Sequence, residues 1–581
     1  MPIFDFRNED SIGSVYSVDT GTVLVRVANV EALRRMQVNH LVVLRSSKAG
    51  QHLIGLINKI MRKALIGLDE GATEGDGGDE DSVDNIVRIS LIGTLLDAVG
   101  TEQNVFRRTL ETVPEIDAPC FVLIGDKLTG FMRAISKQKI EGQEPLSLGK
   151  YTLDEEAVAW IDGNRFFQRH AVVVGSTGSG KSWTVARILE QVAKLPNANA
   201  LLFDIHGEYA PLTGDGISHL RIAGPGDLAG ARTLNDGIVF LPYWLLSYEE
   251  MLSMLLDRSD QNAPNQAMIF NREVVDAKRA FLTTAGKADV LANFTIDSPV
   301  PYDIENVLAK LNALNEERTE GAKAGTTKAG DFNGKLARFI QRLEAKRQDR
   351  RLGFMFATGA DAKRYEWLEE LACVLLGSTK MRGKGGVKII DFSEVPSDIL
   401  PLIIGLVARL VFSVQQWTEK DKRHPIALLC DEAHLYIPER NETGVSEAGL
   451  RSFERIAKEG RKYGVGMTVI SQRPAEVNRT VLSQCNNFIA MRLTNADDQA
   501  VIRRLLPDTL GGFADLLPVL DIGEALVVGD AAVLPSRIRI DEPITRPNSA
   551  TVAFWDCWAA ETVPNVIPAA VEALRKQWGG A

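Results

Sequence analysis

The chain has 581 residues, of which 45% are apolar and 24% charged, and its net charge is −10. At about 150 residues per module, that length allows three or four modules of an ordinary globular protein, and the acidic balance argues against a surface coated in nucleic acid while leaving a locally basic channel open. The five cysteines, Cys120, Cys373, Cys430, Cys485 and Cys557, are scattered without the spacing of a disulfide scaffold or a zinc site, as suits a reducing compartment.

Residues 1–150 read as a small N-terminal β-barrel. Residues 11–28 and 41–44 alternate apolar and polar positions and are rich in valine, and residues 87–95 and 119–124 add further β-rich runs. Residues 68–84 form an acidic, glycine-rich loop expected to be disordered. The start of the chain lacks the basic-then-apolar pattern of an export signal. The longest apolar stretch, residues 399–414, is interrupted by Arg409 and too short for a bilayer, so a cytoplasmic protein without membrane contact is expected.

Residues 150–168 lead into an α/β core, expected over 151–244 and 387–535. The apolar run Ala171–Val174 is followed by Gly175-Ser-Thr-Gly-Ser-Gly-Lys-Ser182, which fits the phosphate-binding pattern G-x-x-x-x-G-K-[ST] in the strand-to-helix context that the pattern needs. Gly175, Gly178 and Gly180 allow the backbone to curl, so that the amides of Ser176, Thr177 and Ser179 and the start of a helix near Ser182–Trp183 face an anion. Lys181 is expected to reach the β- and γ-phosphates of ATP, and Ser182 to bind Mg²⁺. A second buried run ends in Phe203-Asp-Ile-His-Gly-Glu-Tyr209, which puts Asp204 and Glu208 at the same sheet edge, with a metal-shell duty and a structural turn equally open for them.

A strand at 238–241 precedes residues 245–386, read as a helical insertion because helical patterns recur at 271–281 and 304–317 and because Lys181 and Asp431 lie 250 residues apart (431 − 181). Within it, residues 335–351 carry seven Lys/Arg on an amphipathic helical pattern, for which a solvated basic face is preferred over a DNA contact. Residues 380–388 form a basic, glycine-rich loop that could line a pore.

Core strands resume at Val387–Asp391. Ile426-Ala-Leu-Leu-Cys-Asp-Glu432 then brings Asp431 and Glu432 to the carboxyl end of a buried strand, where ligands bind in open α/β sheets. There Asp431 would hold Mg²⁺ through water, and Glu432 would polarise the attacking water. Arg461 and Lys462 follow a helical stretch at 454–460. They read either as cations facing a helix C-terminus or, for Arg461, as an arginine finger entering a neighbouring subunit with Lys462 assisting. Gln472, at the end of Met467-Thr-Val-Ile-Ser-Gln472, is long enough to touch the γ-phosphate or the attacking water, the plain alternative being a polar strand cap. Residues 536–581 complete the chain as a last strand and a tail with a helix at 568–578.

Taken in order, residues 175–182, 203–209, Asp431-Glu-Ala-His434, Gly460-Arg-Lys-Tyr-Gly464, Ser471-Gln-Arg-Pro474, residues 481–485 and residues 523–529 resemble the HerA branch of the HerA/FtsK translocases. The resemblance implies a RecA-like P-loop core preceded by a HAS-barrel-like domain, and a homo-hexameric ATPase ring that moves on double-stranded DNA. It also implies a partner nuclease or defence effector docked on the barrel, and a latch-like tail that laces onto a neighbour. Carried over by position, Lys181 and Ser182 serve phosphate and metal, Asp431 and Glu432 are the metal and catalytic carboxylates, Gln472 senses the γ-phosphate, and Arg461 acts in trans. An alternative is a ring acting chiefly as an assembly platform that activates an antiphage effector, either a nuclease or a sirtuin-like NADase. A metabolic P-loop kinase is disfavoured, because Gln472 and Arg461 suit hydrolysis between subunits better than transfer to a small acceptor.

Overall fold

A computed structural model describes residues 3–4, 6–27, 30–34, 36–64, 83–99, 102–135, 145–230, 233–320, 326–377, 386–439, 444–505, 514–532, 534–549, 552–562 and 565–577. The expected acidic loop at 68–84 lies almost wholly outside these residues, as does the basic loop from 380 to 385. The chain divides into two compact units, residues 1–166 with 523–541 and residues 167–522 with 542–581. The sequence alone suggested a first break near residue 150.

In the first unit, β1 (Gly13–Val18), β2 (Thr22–Val27), β3 (Leu41–Arg45), β4 (Gln51–Ala64), β5 (Val83–Val99), β6 (Glu102–Arg107) and β7 (Pro119–Val122) form one antiparallel sheet in the order β2-β1-β7-β3-β4-β5-β6. A further pairing of β2 with β5, from Thr22 opposite Ser90 to Val27 opposite Asn85, closes six of these strands into a barrel and leaves β6 as an extension of β5. Alternation explains the closure, since Val15, Val23, Val25, Leu53, Ile57, Val87 and Ile89 turn inward and are fully buried. Two hairpins complete the unit. β8 (Leu146–Tyr151) pairs with β9 (Asp154–Ile161), and β20 (Glu524–Gly529) pairs with β21 (Ser536–Ile540), which in turn pairs with β8.

The second unit is the expected RecA-like α/β core. Among the described residues, eight parallel strands follow the order β13-β12-β16-β11-β17-β18-β10-β19. These are β10 (Ala171–Val174), β11 (Ala200–Asp204), β12 (Ile217–Ile222), β13 (Ile238–Val239), β16 (Val387–Asp391), β17 (Ile426–Cys430), β18 (Val465–Ser471) and β19 (Asn487–Met491). The near-continuous apolar runs of β10, β11, β17 and β18 are what a strand covered on both faces requires, and all their residues are buried. β18 lies between β10 and β17, so the ends of the three motif-bearing strands stand side by side.

Helices Lys181–Ala193, Leu400–Trp417 and Gly444–Tyr463 belong to this core. Leu400–Trp417 is long and apolar enough to cross a membrane, with mean hydropathy 1.5, yet 72% of it is buried inside the fold. It approaches Gly444–Tyr463 closely, because a Cβ on Gly405 would stand 2.5 Å from the Gly449 Cα. The expected insertion is built mainly from helices Ala263–Thr284, Ile304–Glu316, Ala337–Gln348 and Trp367–Leu376, and it also holds a short hairpin, β14 (Arg318–Glu320) with β15 (Thr327–Ala329). It is tied to the core by Arg409, which donates to both carboxylate oxygens of Glu250 and to the Leu245 carbonyl.

Candidate nucleotide site at the carboxyl ends of the core strands

The residues after β10 can form only a tight loop. A Cβ on Gly175 would stand 2.3 Å from Ser179 Oγ and 2.8 Å from Met491 Cβ, while Gly178 and Gly180 take φ of +73° and +106°, a region that L side chains avoid. Ser176 fixes the loop to β19's end by donating its amide and its hydroxyl to the Arg492 carbonyl, at 2.8 and 2.9 Å. Ser179 is fully buried, with its hydroxyl unpartnered. Helix Lys181–Ala193 starts directly from Gly180, and Thr184 is the first residue in it whose amide bonds back, to the Gly180 carbonyl at 3.0 Å. The amides of Lys181, Ser182 and Trp183 are therefore open to an anion.

Opposite this loop, the ends of β17 and β18 bring in Glu432 and Gln472. Glu432 is 5% exposed and has φ of +44°, a left-handed turn at the strand end that is strained for a residue with a side chain. Gln472 links three loops: it accepts from Thr177 Oγ1 at 2.6 Å and donates through Nε2 to Glu432 Oε1. The other carboxylate oxygen, Glu432 Oε2, is buried without a hydrogen bond, and His434 Nδ1 lies 3.4 Å away. His434 also meets Ser471 Oγ at 3.3 Å.

Charge at this edge is out of balance. Lys181, 7% exposed, faces Glu432, Asp431 and Glu208, and burial lowers its pKa against the pull of those three carboxylates. Burial pushes Asp431 well above the usual carboxylate range, with Glu432, Glu208 and Asp204 adding to the rise and Lys181 opposing it. A buried carboxylate cluster with one cation and an orphaned oxygen lacks positive charge. With Ser182 and Asp431 as oxygen donors, the residues present fit Mg²⁺ and a phosphate chain.

The two residues left open after β11 separate here. Asp204 accepts from the amides of Glu208 and Tyr209 at 3.1 and 3.0 Å and so holds the turn, whereas Glu208 takes the Ser182 hydroxyl at 2.8 Å and enters the site. Arg461 and Lys462 do not join it. Both are exposed in the last turn of helix Gly444–Tyr463, just before the start of β18, at the opposite end of that strand from Gln472. Seven residues of strand put about 20 Å between the two ends. Arg461 makes no side-chain hydrogen bond or ion pair among the described residues.

Five of the seven cations in the basic stretch 335–351 have acidic partners. Arg338, Arg342, Lys346 and Arg347 pair with Asp260, Asp257, Asp398 and Glu305, and Arg351 with Asp349. Lys388, the last residue of the expected pore loop, is buried in β16 with its Nζ on Asn199 Oδ1 and the Gly377 carbonyl. Sequence reasoning assigned no role to His434, although its place three residues after Asp431 was visible. The coupling of Thr177 to Gln472 carried no sequence signal.

Residues 146–411 match the family model described as Helicase HerA, central domain. A probable helicase of Methanocaldococcus jannaschii is 24% identical over 430 residues, 73% of this chain and 72% of the relative. The DNA double-strand break repair helicase HerA of Pyrococcus furiosus is 26% identical over 439 residues, 69% and 70% of the two chains. Among solved structures, VirB4 of Thermoanaerobacter pseudethanolicus (17% identity, TM-score 0.42) covers 70% of this chain and 98% of its own, and the conjugative coupling protein TrwB (12%, 0.44) covers 74% and 94%. With its phosphate loop and its paired carboxylates in place, the chain carries at residues 146–411 a domain of the HerA helicase type.

Proposed function

We propose that the protein hydrolyses ATP to move double-stranded DNA through a homo-hexameric ring. The observation that carries this reading is the Thr177–Gln472–Glu432 chain of hydrogen bonds, which spans three loops and faces Lys181. Lys181 and the open helix amides bind the phosphates. Gln472, already in contact with both the phosphate loop and the carboxylate, orients the water against the terminal phosphate, and Glu432 takes the water's proton. Ser182 and, through water, Asp431 would hold Mg²⁺, whose charge screens the phosphate oxygens.

The position of Arg461 supports a ring. An unpaired guanidinium at the amino edge of the sheet is remote from its own phosphate loop and is free to enter a neighbour's site. The barrel, which has no nucleotide motif and exposes Val113, Ile116 and Ile124, suits the docking of a partner nuclease or defence effector. The test is ATP turnover by the full chain with and without duplex DNA over a range of salt. Duplex-stimulated turnover, with DNA affinity falling steeply with salt at equal slopes on unrelated sequences, is expected. Turnover indifferent to DNA, or binding confined to one sequence, would falsify the motor reading.

A further inference from the structure

Residues 544–548 are mounted on the nucleotide site by four contacts. The amides of Ile544 and Thr545 donate to the two carboxylate oxygens of Glu190, at 2.9 and 2.8 Å, and Glu190 is buried on the helix that follows the phosphate loop. The Arg546 guanidinium stands 5.1 Å from the centre of the Trp183 ring. The Asn548 amide donates to the Glu208 carbonyl at 2.7 Å, and the carboxylate of that same Glu208 holds the Ser182 hydroxyl. Every anchor is a residue of helix Lys181–Ala193 or the partner of its Ser182.

The direction of the nucleotide follows from the loop. Thr177, Gln472 and Glu432 meet where the terminal phosphate must react, and the open amides run from Lys181 to Trp183, so the phosphate nearest the nucleoside lies at the Trp183 end. A nucleoside leaving that end meets an indole and a guanidinium, the two planar groups on which a nucleobase stacks. Among the described residues Arg546 forms an ion pair only with Glu542, at 3.0 Å, with both side chains about two thirds exposed (67% and 65%), a surface pair too weak to explain why the guanidinium is held over the ring.

We infer that Trp183 and Arg546 bind the base of the nucleotide, and that residues 544–548 are the strap that keeps Arg546 over the site. The inference rests on the reading of residues 175–182 as the ATP phosphate loop. Calorimetric titration of the full chain with ADP and with inorganic tripolyphosphate, both with Mg²⁺, tests it. Arg546→Ala and Trp183→Ala should each weaken ADP binding by about tenfold and tripolyphosphate binding by no more than about twofold, and Arg546→Lys should recover part of the loss. Equal weakening of both ligands, or of neither, overturns the assignment. Lys181→Ala should lose both ligands; retention of both would overturn the phosphate-loop reading itself.

Discussion

Two regions of the second unit are dense in charge, and they handle it in opposite ways. Along helix Ala337–Gln348 each of Arg338, Arg342, Lys346 and Arg347 has an acidic partner, and the pairs sit at the surface. At the carboxyl edge of the core sheet, Asp431, Glu432 and Lys181 are buried, the carboxylates outnumber the cation, and Glu432 Oε2 has no donor. Exposed, matched charge costs little and stabilises little. Buried, unmatched charge costs several kcal/mol per ion, a burden that a fold carries where a ligand completes the balance. A count of basic residues would have marked the insertion helix as the functional surface, whereas the balance of charge points to the strand ends.

The contrast is most open to attack through Arg461, which is exposed like the insertion cations but lacks their partners. As a finger acting in trans, Arg461→Ala should keep ATP binding and lower turnover by about 10³–10⁵. Mixing it with Lys181→Ala protein should restore some activity, because a mixed interface can join an intact loop to an intact finger. No gain after verified subunit exchange would return Arg461 to the class of surface cations. Next in size is Glu432→Gln, which keeps the shape and the bond to Gln472 but cannot accept a proton. Turnover should fall by about 10²–10⁴ while ATP stays bound, and wild-type turnover in a single-turnover assay would remove Glu432 from the chemistry.

His170 sharpens the comparison, since it is buried and titratable yet balanced. Its Nδ1 accepts the Met467 amide at 3.0 Å, the ring also bonds the Ala457 backbone, and burial lowers its pKa to about 4 from the ordinary 6.5. Between those values the unfolded chain takes up a proton that the folded chain refuses, so stability present at neutral pH is lost as pH falls from about 6.5 toward 4, by about 3 kcal/mol. Urea denaturation across that window should show the loss, and His170→Gln should flatten it by one proton. An unchanged slope in the variant would assign the pH dependence to other groups. The smallest effect is expected for Arg342→Ala, about 1 kcal/mol or less in stability with no change in the salt dependence of DNA binding. A salt slope lower by about one unit would mean that the insertion helix touches phosphate after all.

What the sequence made legible was chemistry that fits on one strand and the loop after it. β10, β17 and β18 could be read because continuous or near-continuous apolar runs end abruptly in Gly175, Asp431 and Gln472. β12 was missed because Ser218, His219 and Arg221 break up its apolar residues, and β19 because Asn487 opens a run of only four apolar residues. Closure of the barrel depends on β2 meeting β5, some sixty residues apart, and no local pattern encodes such a pairing. Arg546 lies 363 residues from Trp183 (546 − 183), so only folding could reveal that contact. Asp204 and Glu208 were both visible at the right edge, but their different duties depend on which amides and hydroxyls the turn brings near.

The strand β18 carries Gln472 at one end and follows directly from the helix turn that bears Arg461 at the other. A fully hydrogen-bonded strand in the middle of a sheet does not stretch, so if Gln472 moved when the terminal phosphate departed, the shift would be delivered along the strand axis to the arginine. In a ring where that arginine serves the next subunit, one rigid rod per subunit would tie the state of each site to the competence of its neighbour. The pace of each site would then depend on the state of the one beside it.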